Sequence, residues 1–492
     1  MRTSSGAVAV QIMTKEHGRQ VVLAHVGSAH NEAELAVLVR LAHERMHAGQ
    51  AELDLDGVCT PERQGTSLAA PVVKGQASRL LWGVLEQAWY RLGFSVVDDE
   101  AFRQLVLARL VEPASKVETI RILEELGIAA PHRSTIKRAL KRCQERNYRS
   151  KIAKACYKHA LARGTLALCL YDVTTLYFEA PKEDELRKVG YSKERRVDPQ
   201  VVVGLLVDST GFPLQIGCFE GNRAETRTLL PVLQEMRALH GVKDLVVVAD
   251  AGMLCAANLD ALEEAGYGFI VGSRIAKAPH DLADHFHSHG TFMTDGQIVE
   301  TTTRMGSKTR RVVYQYSRKR FVRDNTTITA QENRARAILA GQTRPKTARF
   351  LKKTGTQTRL DEAAIQKARD LAGLKGYVTN IPTTVLDGAG VINQYHQLWH
   401  VEQSFRMAKT DLSARPMFHH VRESIEAHLT IVYTALAIAR HLQAVTGVSI
   451  KKIVRTLRPL REVTIEIAGH EVTAKPDPGP DAHAILNHLP GY

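Results

Sequence analysis

The sequence has few cysteines and no long apolar run, and each absence excludes a class of protein. Six cysteines are scattered over 492 residues without a CxxC pair, which argues against a zinc knuckle or a disulfide framework and is typical of a reducing cytosol. No stretch approaches about 18 uninterrupted apolar residues, so we expect no membrane span. Residues 1–20 lack a basic start followed by an apolar block, so the sequence predicts no secretory signal.

Positive charge is abundant, and it is concentrated in one window. The chain has a net charge of +14, and residues 301–360 contain sixteen Lys and Arg against two acidic residues. The rest of the chain is therefore close to neutral. A local excess of this kind is typical of a protein that binds a polyanion, although a solubilising surface is the alternative.

The pattern along the chain predicts several regions. Residues 1–68 resemble a small αβ unit, with strands at Ala7–Met13 and Gln20–His25, a helix at Glu32–His47 and a polar linker at residues 51–68. Helical periodicity dominates residues 69–163. An α/β core follows in two parts, residues 164–272 and 376–446, around a basic insertion at residues 273–375. Residues 447–492 form a short, mixed C-terminal segment with a flexible stretch at Lys475–Pro480.

One part of the helical region has the outline of a helix-turn-helix. Ser134 is a good N-cap for a basic helix over Thr135–Arg149, which contains Lys137 and Arg138. Short outlines of this kind are also common in plain helical bundles. The sequence therefore leaves DNA binding and simple packing open for these residues.

The α/β core is predicted from apolar runs separated by turns. Leu166–Tyr171 and Leu245–Ala249 read as buried strands that end at Asp172 and Asp250, and Gln200–Phe219 reads as a hairpin around Asp208–Gly211. Two antiparallel strands followed by a strand-helix-strand unit predict a mixed sheet with helices on its faces. The insertion includes two β-leaning segments, Gln297–Arg304 and Arg310–Tyr316, and a helix-like run at Thr329–Ala340.

The stretch Tyr395–Leu412 has the spacing of a single amphipathic helix. Its apolar stripe consists of Val401, Phe405, Ala408 and Leu412. Its polar face consists of Tyr395, Glu402, Arg406 and Lys409. A solvated face with a Glu402–Arg406 pair is one interpretation. The other is a site where a carboxylate holds a metal ion beside a phosphate.

Asp172, Asp250 and Glu402 together would supply hard oxygen donors. Each aspartate taken singly could be a turn or capping residue. As a trio, the three carboxylates match the ligands that Mg²⁺ prefers, and a pair of such ions about 3.5–4 Å apart can promote an in-line phosphoryl displacement. We therefore predict these three residues as catalytic residues and metal ligands.

The sequence around these carboxylates resembles bacterial insertion-sequence transposases of the DDE class. The likeness is carried by LYDVTTLYFE around Asp172, by LVVVADAGM around Asp250 and by the hairpin segment that begins at Gln200. Tyr395, Glu402 and Lys409 match the family signature Y-x2-R-x3-E-x6-K at the right spacings. Leu398 stands where the signature has arginine, and Arg406 is a candidate substitute for that arginine.

The resemblance implies a ribonuclease-H-like mixed sheet with flanking helices, interrupted by a β-rich insertion and preceded by a mostly helical region. It implies a DNA transposase that cuts the ends of its element and joins the 3′-hydroxyls to target DNA with two Mg²⁺ ions, for which Mn²⁺ can substitute. Double-stranded DNA would be bound by Tyr395, Arg406 and Lys409, by Arg318, Lys319 and Arg320 of the insertion, and by Lys137 and Arg138.

The likeness also implies a homodimer in the synaptic complex, no contact with a membrane, and a bacterial cytoplasmic protein associated with the nucleoid. Two alternatives to a transposase remain open at this point. One is a metal-dependent DNA nuclease that cuts without joining. The other is a transposase-derived DNA-binding protein that no longer catalyses.

Overall fold

A computed structural model gives the architecture of most of the chain. The described residues are 7–16, 19–46, 72–164, 166–179, 182–191, 197–241, 245–253, 255–273, 278–290, 292–342, 348–354, 357–467 and 470–491. The chain divides into two compact units, Met1–Leu68 and Ala69–Tyr492.

The first unit is a hairpin with one helix. Strands β1 (Val8–Glu16) and β2 (Arg19–Ala29) pair antiparallel, and helix α1 (Glu32–Met46) follows. The two strands end three and four residues beyond the predicted segments, and the helix begins at the predicted residue, Glu32. The linker predicted at residues 51–68 lies outside the described residues.

The second unit begins with a strand and five helices. These are β3 (Val72–Ala77), α2 (Arg79–Arg91), α3 (Glu100–Val111), α4 (Glu118–Glu125), α5 (Arg133–Glu145) and α6 (Tyr148–Ala162). Apolar residues at helical spacing bury one face of each helix, as in Leu81, Val84, Leu85 and Ala88 of α2. The helical character of this region agrees with the sequence pattern.

The start of α5 differs from the prediction that Ser134 is its N-cap. His132 takes that position instead, and its Nδ1 atom accepts a hydrogen bond from the Ser134 backbone N–H at 3.3 Å. The helix also ends at Glu145 instead of Arg149, because Asn147 caps α6 through a hydrogen bond from the Ser150 N–H. The connection between α4 and α5 spans residues 126–132, which is longer than the 3–4-residue turn of a helix-turn-helix.

An eight-stranded mixed sheet forms the centre of the second unit. Its first strands are β4 (Leu168–Tyr177), β5 (Gln200–Asp208), β6 (Pro213–Glu220), β7 (Val246–Ala249) and β8 (Gly268–Gly272). Helices α7 (Leu229–His240) and α8 (Ala256–Glu264) connect β6 to β7 and β7 to β8. Three antiparallel strands, β6-β5-β4, followed by the parallel strands β7 and β8, give the ribonuclease-H-like arrangement.

The hairpin between β5 and β6 shows why the local sequence folds this way. Every residue of β5 is buried, which matches its continuous run of apolar side chains. At the turn, the Asp208 Oδ1 atom accepts hydrogen bonds from the backbone N–H groups of Thr210 at 2.8 Å and Phe212 at 2.9 Å. Asp208 is therefore a turn residue, as the sequence indicates.

The insertion adds both strands and helices. Its described elements are α9 (Ala278–Asp281), α10 (Ala283–His289), β9 (Ile298–Met305), β10 (Lys308–Tyr316), α11 (Arg318–Leu339), β11 (Leu351–Thr354), β12 (Gln357–Leu360) and α12 (Glu362–Asp370). Strand β13 (Leu374–Thr379) spans the predicted boundary between the insertion and the second part of the core. The central sheet continues from β8 through β13 and β10 to β9. The predicted strands of the insertion thus extend the core sheet and do not form a separate β-domain.

The longest element of the insertion is α11, which begins eleven residues before the predicted helical run. The Ser317 side chain caps it by accepting a hydrogen bond from the Arg320 N–H. The backbone N–H of Ser317 donates to the carbonyl of Gly373 at 2.9 Å, which joins the start of α11 to the start of β13. Gly373 has φ +87°, and a Cβ there would lie 2.6 Å from the Tyr316 ring.

The prediction of a single helix over Tyr395–Leu412 is wrong. The structure has two helices, α13 (Gly388–His396) and α14 (Trp399–Thr410). Around Gln397 and Leu398 the backbone forms i→i−3 hydrogen bonds, such as Leu398 N–H to the Tyr395 carbonyl at 3.1 Å. These tight turns interrupt the helical phase that the spacing of the polar face assumes. The apolar stripe Val401, Phe405, Ala408 and Leu412 is buried as predicted.

Helix α15 (Arg422–Thr446) crosses the core, and the elements that follow complete the fold. These are α16 (Ile450–Leu457), β14 (Glu462–Ile467), β15 (His470–Ala474) and α17 (Pro480–Leu486). Strand β14 pairs with β3, so the C-terminal segment returns to the helical region.

Among the described residues no single helix meets the length and hydropathy of a membrane span, and the one pair that does so together, α15 and α16, is bent by 81°.

Candidate active site

Asp172 and Asp250 lie side by side in the central sheet, at the point where the inner strand β7 ends. We call the surface around these two residues the carboxylate edge. Strands β4 and β7 are parallel, and Tyr171 pairs with Ala249 immediately before the two aspartates. Strand β7 ends there, as predicted, whereas β4 continues to Tyr177 because residues 172–177 keep their ladder with β5. Asp172 therefore lies within a strand and not at its end, at the point where its neighbour β7 stops.

The face of β4 that includes Asp172 is the face on which α14 packs. Side chains alternate along a strand, so Asp172 shares a face with Thr174 and Leu176. Those two residues line a narrow cavity together with Phe405 and Ala408 of α14. This arrangement puts Asp172 on the same side of the sheet as the helix that carries Glu402.

Asp250 is held by Tyr395. The Tyr395 hydroxyl donates a hydrogen bond to the Asp250 Oδ1 atom at 2.8 Å. Burial, followed by the charge of Asp250 and this hydrogen bond, raises the pKa of Tyr395, and the charge of Asp172 adds to the effect. Gly272 makes room for the contact, since a Cβ there would lie 2.7 Å from the hydroxyl oxygen.

The structure therefore places Tyr395 away from the polar face predicted for it. Its side chain is 4% exposed and packs against the sheet, because the break at Gln397–Leu398 turns it away from the exposed residues of α14. Leu398, at the position of the signature arginine, is also buried. A DNA contact by Tyr395 is not supported by this position, and a role in orienting Asp250 is.

Glu402 and Arg406 are exposed on the first two turns of α14. No ion pair joins them in the described part of the chain, which removes the interpretation as a surface i,i+4 pair. Lys409, one turn further, is half-buried and lines a cavity of about 460 Å³ with Thr174, Thr175 and Asn222. The predicted face of four residues thus separates into a buried tyrosine, two exposed residues and a half-buried lysine.

The side chains predicted as ligands at the carboxylate edge are carboxylates, which are the kind of ligand that Mg²⁺ and Mn²⁺ prefer. Two of the three predicted ligands, Asp172 and Asp250, follow paired residues on neighbouring strands. Within the described residues, however, no group of three His, Cys, Asp or Glu side chains is placed to hold a metal ion. The three predicted ligands therefore do not form a ready-made metal site in this structure.

Lys375 is a site residue that no pattern in the sequence indicates. It lies near the start of β13, and its Nζ atom is 4.3 Å from the centre of the Tyr395 ring and 5.4 Å from that of Tyr377. Burial and the charge of Arg320 lower the pKa of Lys375, whereas the charges of Asp250 and Glu402 act in the opposite direction. Lys375 thus interacts electrostatically with two of the three predicted catalytic carboxylates.

The basic insertion residues reach this edge through α11. Lys319 and Arg320, on the first turn of α11, line a cleft of about 490 Å³ together with Lys375 and His396. Arg318 is exposed beside them, with its backbone N–H bonded to Asp295.

The sequence signal for Lys375 was weak, because a single lysine at the start of an apolar strand is usually a surface residue. Its neighbours become visible only when the sheet is assembled.

Lys137 and Arg138 lie elsewhere in the second unit. Both are exposed on α5, whose opposite face buries Ile136, Ala139 and Leu140. Arg138 donates a hydrogen bond to the Thr135 hydroxyl at 3.2 Å. These residues do not belong to the carboxylate edge, and any DNA contact they make would be a separate one.

Comparison with known proteins gives one family match. The family described as "Transposase DDE domain" matches residues 164–438, which is more than half of the chain and includes the three predicted catalytic carboxylates. No curated protein sequence matches the chain.

The solved structures that resemble it weakly include two transposase complexes. A piggyBac transposase synaptic complex with hairpin DNA has 10% sequence identity and a TM-score of 0.38, over 78% of this chain and 79% of that one. A Mos1 transposase paired-end complex with the left transposon end has 13% identity and a TM-score of 0.16, over 48% and 66%. Both TM-scores are low, so the assignment rests on the domain match: the chain belongs to the DDE transposase domain family.

Proposed function

We propose that the protein is a DNA transposase that cuts the ends of its insertion sequence and joins the freed 3′-hydroxyls to target DNA. The observation that carries the proposal is the position of Asp250, which lies next to Asp172 on the sheet and is hydrogen-bonded by Tyr395. A buried tyrosine whose hydroxyl orients an exposed carboxylate is expected where that carboxylate has to be held for chemistry. The family match supports the same activity.

Asp172, Asp250 and Glu402 would be the ligands of two Mg²⁺ ions, with Mn²⁺ as a substitute. When bound, such ions supply activation of the attacking oxygen and neutralisation of the charge on the leaving oxygen. The residues of the chain position this chemistry. Tyr395 holds Asp250 by its hydrogen bond, and its raised pKa keeps the phenol protonated, so that it remains a donor at neutral pH.

DNA phosphates would be held by cations around the carboxylate edge. Arg406 is exposed one turn from Glu402, and Lys409 lines the neighbouring cavity. On the other side of the edge, Arg318, Lys319 and Arg320 present the positive charge of the insertion. Lys137 and Arg138 would form a separate contact further along the duplex.

Two ends of one element have to be brought together for transposition. We therefore propose a homodimer in the synaptic complex, with each protomer binding one terminal inverted repeat. The protein would act on chromosomal DNA in the bacterial cytoplasm.

A cleavage and strand-transfer assay tests the proposal. The substrate is a labelled duplex from the DNA that flanks the coding region, incubated with Mg²⁺ and a supercoiled target. The proposal predicts nicking at the element's end and joined products. Nicking without joining, even from pre-cut ends, would instead identify a nuclease. Specific binding with no nicking would identify a DNA-binding protein that has lost catalysis.

A further inference from the structure

The cleft between α11 and β13 has a composition that the proposed chemistry at the carboxylates does not explain. It has a volume of about 490 Å³ and is lined by four cations, Lys319, Arg320, Arg323 and Lys375, with His396 beside them. Its other lining residues are polar or aromatic, and include Gln315 and Tyr377. Lys375 and Arg320 are half-buried, and they also line a second, adjoining cleft.

Three of the four cations of this cleft have no acidic partner among the described residues, whereas Arg310 and Arg311 of the insertion are paired with carboxylates. Arg310 pairs with Asp260 at 2.6 Å and with Glu263 at 2.8 Å, and Arg311 pairs with Glu300 at 2.8 Å. In the part of the chain that the structure describes, no ion pair reaches the side chains of Lys319, Arg320 or Lys375. Of the four, only Arg323 has a carboxylate neighbour, Asp324, at 3.6 Å.

Like charges brought together in a half-buried cleft repel each other, and the cost is relieved when an anion binds. Arg320 contributes to lowering the pKa of Lys375 and also that of His396, so the groups lie close enough to interact. The fold holds them there, because the Ser317–Gly373 backbone bond and the hydrogen bond from the Gly373 N–H to Asp324 at 3.2 Å fix α11 against β13.

Lys375 connects the cleft to the carboxylates. On one side its ammonium lies 4.3 Å from the centre of the Tyr395 ring, and the hydroxyl of that ring is bonded to Asp250. On the other side it lines the cleft with Arg320. An anion bound in the cleft would therefore be separated from the Asp250 carboxylate by only two side chains.

We propose that this cleft binds a backbone phosphate of the DNA strand that is being cut, next to the scissile phosphodiester, with Lys375 and Arg320 as its direct ligands. The proposal rests on the proposed function, since it identifies the ligand as DNA. It assigns to Lys375 the positioning of the strand relative to Asp250. A free phosphate would be bound far more weakly, because it lacks the neighbouring contacts.

The test replaces single phosphates of the substrate with uncharged methylphosphonates. The probe is a labelled duplex from the DNA that flanks the coding region, with Ca²⁺ in place of Mg²⁺ so that binding is measured without cleavage. The proteins are the unchanged full chain, Lys375→Met, Arg320→Gln and Lys375→Arg. The matched control is Arg334→Gln, which removes an exposed cation about 21 Å further along α11.

The proposal predicts that one phosphate beside the cleavage position is sensitive. Its methylphosphonate should weaken binding about tenfold for the unchanged protein and for Arg334→Gln, and less than about twofold for Lys375→Met and Arg320→Gln. Lys375→Arg should recover most of the sensitivity. Each of the two neutral variants should also lower the slope of log K against log salt by about 0.9.

An unchanged methylphosphonate profile in Lys375→Met and Arg320→Gln, with an unchanged melting temperature, would overturn the assignment of the cleft. If the unchanged protein shows the sensitive phosphate but does not cut in Mg²⁺, the phosphate site stands and the proposed function fails. If it cuts while both neutral variants bind and cut as the control does, the function stands and the phosphate site fails.

Discussion

Two basic helices, α5 and α11, use their cations in different ways. On α5, Arg142 forms an ion pair inside the protein. Its guanidinium binds the buried Asp99 carboxylate at 2.7 Å, and the Tyr148 hydroxyl donates to the same carboxylate at 2.9 Å. On α11, Lys319 and Arg320 have no such partner among the described residues and line a cleft beside the predicted catalytic carboxylates. The count of cations in a helix therefore does not reveal which of them are available to a ligand.

The largest effect is expected at the carboxylates next to α11. Replacing Asp172 or Asp250 by Asn removes a charge that a divalent ion requires, and cleavage should fall by about a thousandfold or more while DNA binding persists. A gel assay of nicked product against time measures the rate. Asp260→Asn is the matched control, because Asp260 pairs with Arg310 and should leave cleavage unchanged. Cutting at the normal rate by either variant would refute the assignment of these residues.

The comparison of the two helices is tested directly by salt dependence. Neutralising Arg318, Lys319 and Arg320 together should weaken binding strongly and lower the slope of log K against log salt by about two to three, at about 0.9 per phosphate contact. Neutralising Lys137 and Arg138 should lower the slope by less than about two. Fluorescence anisotropy over a range of salt concentrations gives both slopes. An unchanged slope for the α11 variant would remove the insertion from the DNA interface.

A smaller effect is expected from Tyr395→Phe, which removes only the hydrogen bond to Asp250. Hydrogen bonds to charged groups contribute about 1.5–3 kcal/mol, so cleavage should slow by about tenfold to a hundredfold without a change in DNA affinity. Because the folded protein raises the pKa of Tyr395, its hydroxyl stays protonated through the assay range. The loss should therefore be the same between pH 6 and pH 9, and a pH-dependent loss would contradict a purely orienting role.

The smallest effect concerns stability and belongs to α5. Arg142→Gln should destabilise the fold by about 2 kcal/mol at neutral pH, because Asp99 is left buried with fewer partners. Burial alone raises the pKa of Asp99, but hydrogen bonds from Arg142, the Phe102 N–H and Tyr148 hold it below its ordinary value of 3.8.

A lowered pKa stabilises the fold above the ordinary value and loses this effect as the pH falls through the folded-state pKa. The difference between Arg142→Gln and the unchanged protein should therefore shrink below about pH 4. Urea unfolding at several pH values measures it, and Lys141→Gln, on the same helix, is the control. Equal stability of the two variants at neutral pH would show that Arg142 is not structural.

Much of the fold follows from local sequence patterns. The buried runs of β5 and β7 and the hairpin turn at Asp208 are all indicated by apolar spacing and turn residues. The resemblance to a known family supplied the ribonuclease-H-like arrangement. The break between α13 and α14 was not predicted, because Gln397 and Leu398 are compatible with a helix and only tertiary packing turns the chain there.

The site was predicted only in part for a related reason. Asp172, Asp250 and Glu402 are predicted from motifs, and the two aspartates follow paired residues of neighbouring strands. Lys375 and the pairing of Tyr395 with Asp250 depend on contacts between residues far apart in the chain, since Tyr395 and Asp250 are separated by 145 in residue number. The partners of a cation, such as Asp99 for Arg142, are likewise set by packing that no local pattern records.

The central claim is that the three carboxylates hold divalent ions over the DNA strand. Anomalous scattering from Mn²⁺ in crystals of the protein with an end duplex tests it most directly. The account predicts Mn²⁺ peaks bordered by Asp172 and Asp250, with Glu402 moved into coordination distance when DNA is bound. Ordered Mn²⁺ elsewhere, or a Glu402 side chain that still faces solvent in the DNA complex, would contradict it.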